Sequence, residues 1–95
     1  MAKKGEGMMA KWQQRWFVLH SGGQLQYFSS ESEDDSSLKG TISLDGVKPS
    51  QVTRLKPGGS DYSFAIQTPK RKWVLNPGTE ATYEEWQAKI KQVLG

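Results

Sequence analysis

The side chains in this sequence best suited to chemistry are two sets of cations, and the chemistry they suit is anion binding. Residues 1–19 hold Lys3, Lys4, Lys11 and Arg15 against one acid, Glu6, and residues 48–72 hold Lys48, Arg54, Lys56, Lys70, Arg71 and Lys72 against Asp61. Between the two sets runs an acidic, serine-rich stretch with Glu31, Glu33, Asp34 and Asp35. The net charge is only +3, so segregation rather than excess sets the polarity. A chain polarised this way suits a phosphorylated lipid or a nucleic acid; at this level, charge scattered for solubility is the alternative.

Catalytic chemistry has far less to work with. There is no cysteine and one histidine, His20, which excludes a disulfide framework, a thiolate metal site and a histidine metal set. No serine–histidine pairing has a supporting context. No glycine-rich phosphate loop opens a helix, and no paired carboxylates sit in a recognisable frame. The chain is therefore expected to bind rather than catalyse, with no catalytic residue, no metal and no cofactor. His20 reads as a surface or strand-end residue. No run approaches the roughly 20 apolar residues of a membrane span. Lys3 and Lys4 are followed by Gly5 and Glu6 rather than an apolar run, so the start does not read as a signal peptide. The absence of cysteine fits a cytoplasmic protein.

The elements that must position these cations are mostly strands. At 95 residues, with 35% apolar and 11% aromatic residues, one small core is expected in which a few large rings supply much of the buried area. Arg15 to His20 is a β-branched and aromatic run that reads as a strand packed on both faces. Ser21-Gly22-Gly23 turns it into Gln24 to Phe28, a hairpin. Ser29 to Ser37 reads as an exposed loop. Thr41 to Leu44 alternates and stops at Asp45-Gly46. Gln51 to Lys56 is a short strand broken by Pro57-Gly58-Gly59. Tyr62 to Gln67 and Lys72 to Leu75 follow, on either side of Pro69. The period then changes: Tyr83, Trp86, Ile90, Val93 and Leu94 form one face of an amphipathic helix over Thr82–Leu94. Thr82 and Glu85 have the spacing of a capping box. Glu84 and Glu85 near its start, with Lys89 and Lys91 further along, suit the helix dipole. Such a helix must cover something, and a bent antiparallel sheet leaves an open end for it. Trp86 is expected in the core.

Taken in order, these segments resemble the pleckstrin-homology (PH) domain family over essentially the whole chain. Lys11-Trp12-Gln13-Gln14-Arg15-Trp16-Phe17-Val18-Leu19 is similar to the family's second strand, usually Trp-Lys-x-Arg-Trp-Phe-x-Leu. Leu25 to Phe28 resembles the third strand, Lys39 to Leu44 the fourth, Tyr62 to Thr68 the sixth and Arg71 to Leu75 the seventh. Glu85-Trp86 resembles the helix, with its nearly universal tryptophan. The resemblance implies a mainly β fold for residues 1–95 as a single domain: a seven-stranded bent antiparallel β-barrel or sandwich capped by a C-terminal α-helix. The first strand departs from the family, whose Gly-x-Leu-x-Lys has only Met1-Ala2-Lys3 to match it. A truncated strand leaves an edge that another chain could fill, so a strand-edge dimer is a further expectation.

The resemblance also implies a ligand. Phosphoinositide-binding members cradle the headgroup with Lys-x(n)-Lys/Arg-x-Arg on the first hairpin, where cations on adjacent strands converge on phosphates. On this pattern Lys3 takes the first position and Arg15 the last, while Gln13 stands where the middle cation belongs. Lys11, two residues earlier, is the candidate to compensate. Tyr27 corresponds to a tyrosine that often bonds a phosphate, and Lys39 to a basic residue used by some 3-phosphoinositide binders. The expected site is therefore Lys3, Lys11, Arg15, Tyr27 and Lys39, and the expected function is recruitment of a parent protein from the cytoplasm to an anionic, phosphoinositide-bearing membrane. The alternative is a protein-interaction domain with little specific lipid binding, because the same fold binds peptides and small GTPases through other faces. The acidic Glu31–Asp35 stretch would repel an anionic membrane if it sat beside the basic hairpin. Nucleic acid is not expected, since the terminal helix and the Trp-x-x-x-Trp-Phe strand argue against an OB-type groove. Trp16 and Trp73 are read as packing residues before ligand contacts, Trp12 as half-exposed, and Met8 and Met9 as either bilayer-facing or packed within their loop.

Overall fold

A computed structural model describes residues 1–5, 11–31 and 33–94; Met8 and Met9 lie outside them. Two antiparallel sheets face each other. The larger has the order β2-β1-β8-β7-β6, made of β1 (Ala2–Lys4), β2 (Trp12–Gln14), β6 (Val52–Arg54), β7 (Phe64–Gln67) and β8 (Lys72–Asn76). The smaller has the order β3-β4-β5, from β3 (Trp16–Leu19), β4 (Gln24–Phe28) and β5 (Leu38–Ser43). Helix α1 (Glu80–Leu94) completes the fold. The sheets do not close into a barrel, so the sandwich form of the expected architecture is the one realised.

The long strand expected over residues 11–19 is divided at Arg15. Trp12–Gln14 pairs with β1, and Trp16–Leu19 pairs with β4 in the other sheet. One run of sequence thus passes from one layer to the other. It is not packed on both faces: Phe17 is buried, but Trp16 is 39% exposed. β1 is only three residues long, yet it is hydrogen-bonded on both sides, with Lys3 opposite Gln13 on β2 and opposite Leu75 on β8. The edge that motivated a strand-edge dimer is filled within the chain. Among the described residues the edge strands are instead β2 and β6 in the larger sheet and β3 and β5 in the smaller.

Alternation carries Phe17, Leu25 and Ile42 inward from the small sheet, and Phe64, Ile66 and Leu75 inward from the large one, into a single apolar cluster. The helix adds Ile90, which is fully buried. Trp86, expected in the core, is instead only partly buried at the flank. It packs edge-on against Phe17 at 6.4 Å and is covered by the Lys89 ammonium 5.0 Å from its ring. Position around the helix decides this: Ile90 points between the layers, and Trp86 points toward β3. The helix also begins earlier than expected. Gly78, at φ +91°, delivers the chain to Thr79, whose carbonyl accepts from Tyr83 N at 2.9 Å and whose hydroxyl oxygen accepts from Thr82 N at 3.2 Å. Thr79, not Thr82, caps the helix.

Ile90→Ala should destabilise the fold by about 2–5 kcal/mol, as a fully buried aliphatic truncation, and by more than Trp86→Ala. Urea unfolding of both variants with an unchanged m-value checks this; a larger loss for Trp86→Ala would mean that the indole, not Ile90, anchors the helix.

Candidate functional site

The middle residue of β1 carries the first candidate cation. Because register partners share a face, Lys3 lies beside the exposed Gln13 on one side and the buried Leu75 on the other. It is 7% exposed. Its ammonium donates to Gln13 Oε1 at 3.2 Å and lies 5.1 Å from the Tyr27 ring centroid and 5.8 Å from that of Trp73. An amide oxygen and two π faces are the kind of surroundings that make a buried ammonium tolerable. Tyr27, on β4, lies against Gly40 on β5, its register partner. A Cβ at residue 40 would collide with the tyrosine hydroxyl and ring, so glycine there is what lets Tyr27 lie flat beneath Lys3. The structure therefore gathers Lys3, Gln13 and Tyr27, three residues from three strands.

Two further residues belong to this group and were not assigned to it from sequence. The Arg71 guanidinium stacks on Trp73 at 3.8 Å, and the same indole faces Lys3. The Thr68–Arg71 turn fixes the arginine. Thr68 N and its hydroxyl both donate to the Arg71 carbonyl at 2.9 Å, and Arg71 N donates back to the hydroxyl at 3.2 Å. The i, i+2 spacing of Arg71 and Trp73, which puts both on one face, is the signal that could have joined them.

The remaining expected residues are arranged differently. Arg15 sits at the break between β2 and β3, where its amide donates to the Met1 carbonyl at 3.1 Å. Its Nη1 donates to the Gln14 carbonyl at 2.9 Å, while its Nε is buried without a hydrogen-bond partner. Lys11 is exposed at the mouth of the hairpin, its carbonyl accepting from Gly5 N at 3.0 Å. Lys39 is exposed on the outer side of β5, because Gly40 and Ile42 take the inward positions; it does not share the face of Tyr27. Trp12 is 47% exposed, as expected from its place before the strand. His20 is exposed and hydrogen-bonded to Gln26 at 2.7 Å. The acidic stretch reaches the hairpin's continuation: Glu33, held at φ 54°, accepts a hydrogen bond from Trp16 Nε1 at 3.2 Å.

Strands, sheet order and helix define a PH fold, and the comparisons agree. A family model for the PH domain matches residues 1–95, and the chain belongs to that family. It is 35% identical to Rho GTPase-activating protein 22 of Mus musculus over 97% of this chain and 14% of that protein. Among solved structures it is similar to the human PH domain of TBC1 domain family member 2, with a TM-score of 0.73, 24% identity, and coverage of 98% of this chain and 75% of that one. The human PH domain of oxysterol binding protein-related protein 11 gives 0.75 and 21% with the same coverage. The chain spans 4–17% of the length of the curated relatives it matches. PH domains are non-catalytic modules that bind lipids or proteins. No helix among the described residues is long and apolar enough to cross a membrane.

Gly40→Ala should displace Tyr27 from beneath Lys3 and cost about 1–3 kcal/mol, the range for overpacking a closely fitted site. Thermal unfolding measures the loss, and the Tyr27 ring resonances should move with it. Unchanged stability and resonances would show that the ring has room the packing denies it.

Proposed function

We propose that this chain binds phosphoinositide headgroups through its first hairpin and thereby recruits a larger parent protein from the cytoplasm to an anionic membrane. The convergence of Lys3, Gln13 and Tyr27 beneath the hairpin, with Arg15 and Lys11 on the same hairpin, is the observation that carries this reading. Lys3 acts from below as a preorganised ammonium, and Arg15 and Lys11 act from the rim on phosphates that are multiply charged. Family membership supports the reading, since lipid binding is one of the two activities such domains have. Gln13 offers an amide where a cation would add a charge-assisted contact of about 1.5–3 kcal/mol. Affinity is accordingly modest, and selectivity among headgroups is low. Residues 1–95 act as one domain in this role. Lys39, on the outer side of β5, contributes long-range attraction rather than a contact.

A second reading has one specific observation in its favour. Glu33 bonds to Trp16, the residue after Arg15, which sets a carboxylate on the strand that continues from the cradle. That arrangement weakens an anion site and suits a protein-interaction module with little specific lipid binding.

Titration of a soluble inositol phosphate headgroup at fixed salt distinguishes the two. Arg15→Ala should abolish binding while leaving the fold intact, Lys3→Ala should weaken it less, and Lys56→Ala, remote from the hairpin, should change it little. Gln13→Lys should tighten it by up to about tenfold once desolvation is subtracted from the added contact. If Arg15→Ala and Lys56→Ala behave alike, or Gln13→Lys gains nothing, the hairpin is not a cradle and the second reading stands.

A further inference from the structure

A groove of about 530 Å³ lies between β3 and α1, lined by residues none of which serves the headgroup reading. Its floor and walls include Met1, Val18, Leu19 and Trp86, with Trp16 on the strand side. Two indole–carboxylate pairs stand on it. On the strand side, Trp16 is 39% exposed and Glu33 Oε2 is 3.2 Å from its Nε1. On the helix side, Trp86 and Glu85 share a cation already: Lys89 lies 5.0 Å from the Trp86 centroid and 3.2 Å from Glu85 Oε1.

The second pair reveals what the first is built to hold. An indole face beside a carboxylate attracts a cation by its quadrupole and by charge at once, and a planar guanidinium satisfies both better than an ammonium because it stacks and forks. At Trp86 the chain's own Lys89 occupies that station; at Trp16 the carboxylate is joined to the ring edge, and the ring itself is exposed. The apolar floor between the two stations requires aliphatic side chains from whatever enters. Anionic lipid is the wrong occupant on the strand side, where the Glu33 carboxylate would meet it. We infer that the β3–α1 groove docks a protein segment in which arginines flank aliphatic residues, one guanidinium stacking on Trp16 beside Glu33 and another displacing Lys89 from Trp86 and Glu85. This surface is independent of the headgroup reading and lies on residues that the reading leaves unused.

The test uses the whole chain, isotopically labelled, and a synthetic probe, the peptide acetyl-Leu-Arg-Ala-Leu-Arg-Leu-amide, against a counterpart with both arginines replaced by glutamate. The indole N–H resonances of Trp16 and Trp86 should shift saturably with the arginine peptide and not with the glutamate one. The double variant Glu33→Gln, Glu85→Gln should lose on the order of tenfold in affinity. Lys89→Ala should bind more tightly because its station is vacated, whereas Lys91→Ala, which removes the same charge elsewhere on the helix, should not. Equal gains from the two lysine variants would reduce the effect to net charge and overturn the proposal. So would affinity indifferent to Glu33 and Glu85, or shifts centred elsewhere. The same indole signals moving with protein concentration alone would make the groove a contact between copies, and moving with phosphatidylserine vesicles alone would make it a membrane face; either result also overturns it.

Discussion

An ammonium removed from water must find compensation in its surroundings, or it does not stay charged. At Lys3 that requirement organises one end of the sandwich. Gln13 supplies the amide oxygen, Tyr27 and Trp73 supply ring faces, and Gly40 supplies the clearance that lets Tyr27 lie where it does. Lys3 on β1 meets these partners from β2, β4, β5 and β8, so the two sheets are joined around a single charged group. Apolar packing alone would not specify the register at this end. A slip of β1 by one residue would exchange Lys3 for Ala2 or Lys4 and turn the ammonium outward.

Cations held on aromatic rings recur elsewhere in the molecule. Arg54 lies 4.7 Å from Tyr62 and 5.3 Å from Tyr83, and its Nη2 donates to the Gly59 carbonyl at 2.8 Å. It ties the edge strand β6 to its loop and to the helix. Arg71 and Lys89 do the same for the β7–β8 turn and the helix flank. The segregation of charge visible in the sequence therefore overstates the charge on offer to a ligand. Several of those cations are spent on architecture, stacked in place before any partner arrives.

What was legible in the sequence follows the range of the interactions. The helix stripe and the alternating strands are local patterns, and they led to a strand-rich chain ending in an amphipathic helix with Ile90 on its apolar face. Recognition of the family came from motif order, and it led to Lys3, Arg15 and Tyr27. The misread features are those decided across the fold. Residues 11–19 contain no glycine or proline, so no turn signal marks the break at Arg15, which exists because the two ends of the run pair with different sheets. Thr79 and Thr82 are equally good caps by residue type; Gly78 and the path out of β8 select the first. Trp86 and Ile90 share one helical stripe, and only the position of the sandwich beside the helix decides which is buried. Arg71 and Trp73 joined Lys3 through a pairing between strands at opposite ends of the chain, for which the sequence carries no local signal.

The passage of Trp12–Leu19 between layers has a consequence for how such a chain can change. Gln13 and Arg15 serve one side of the fold and Trp16 and Val18 the other, so neighbouring residues answer to different surroundings. Substitution there can proceed one face at a time. A gain or loss of a single residue cannot, because it would rotate the cradle, the core residue Phe17 and the groove together. Exposed loops tolerate changes of length; this strand is the fixed ruler against which such lengths can drift.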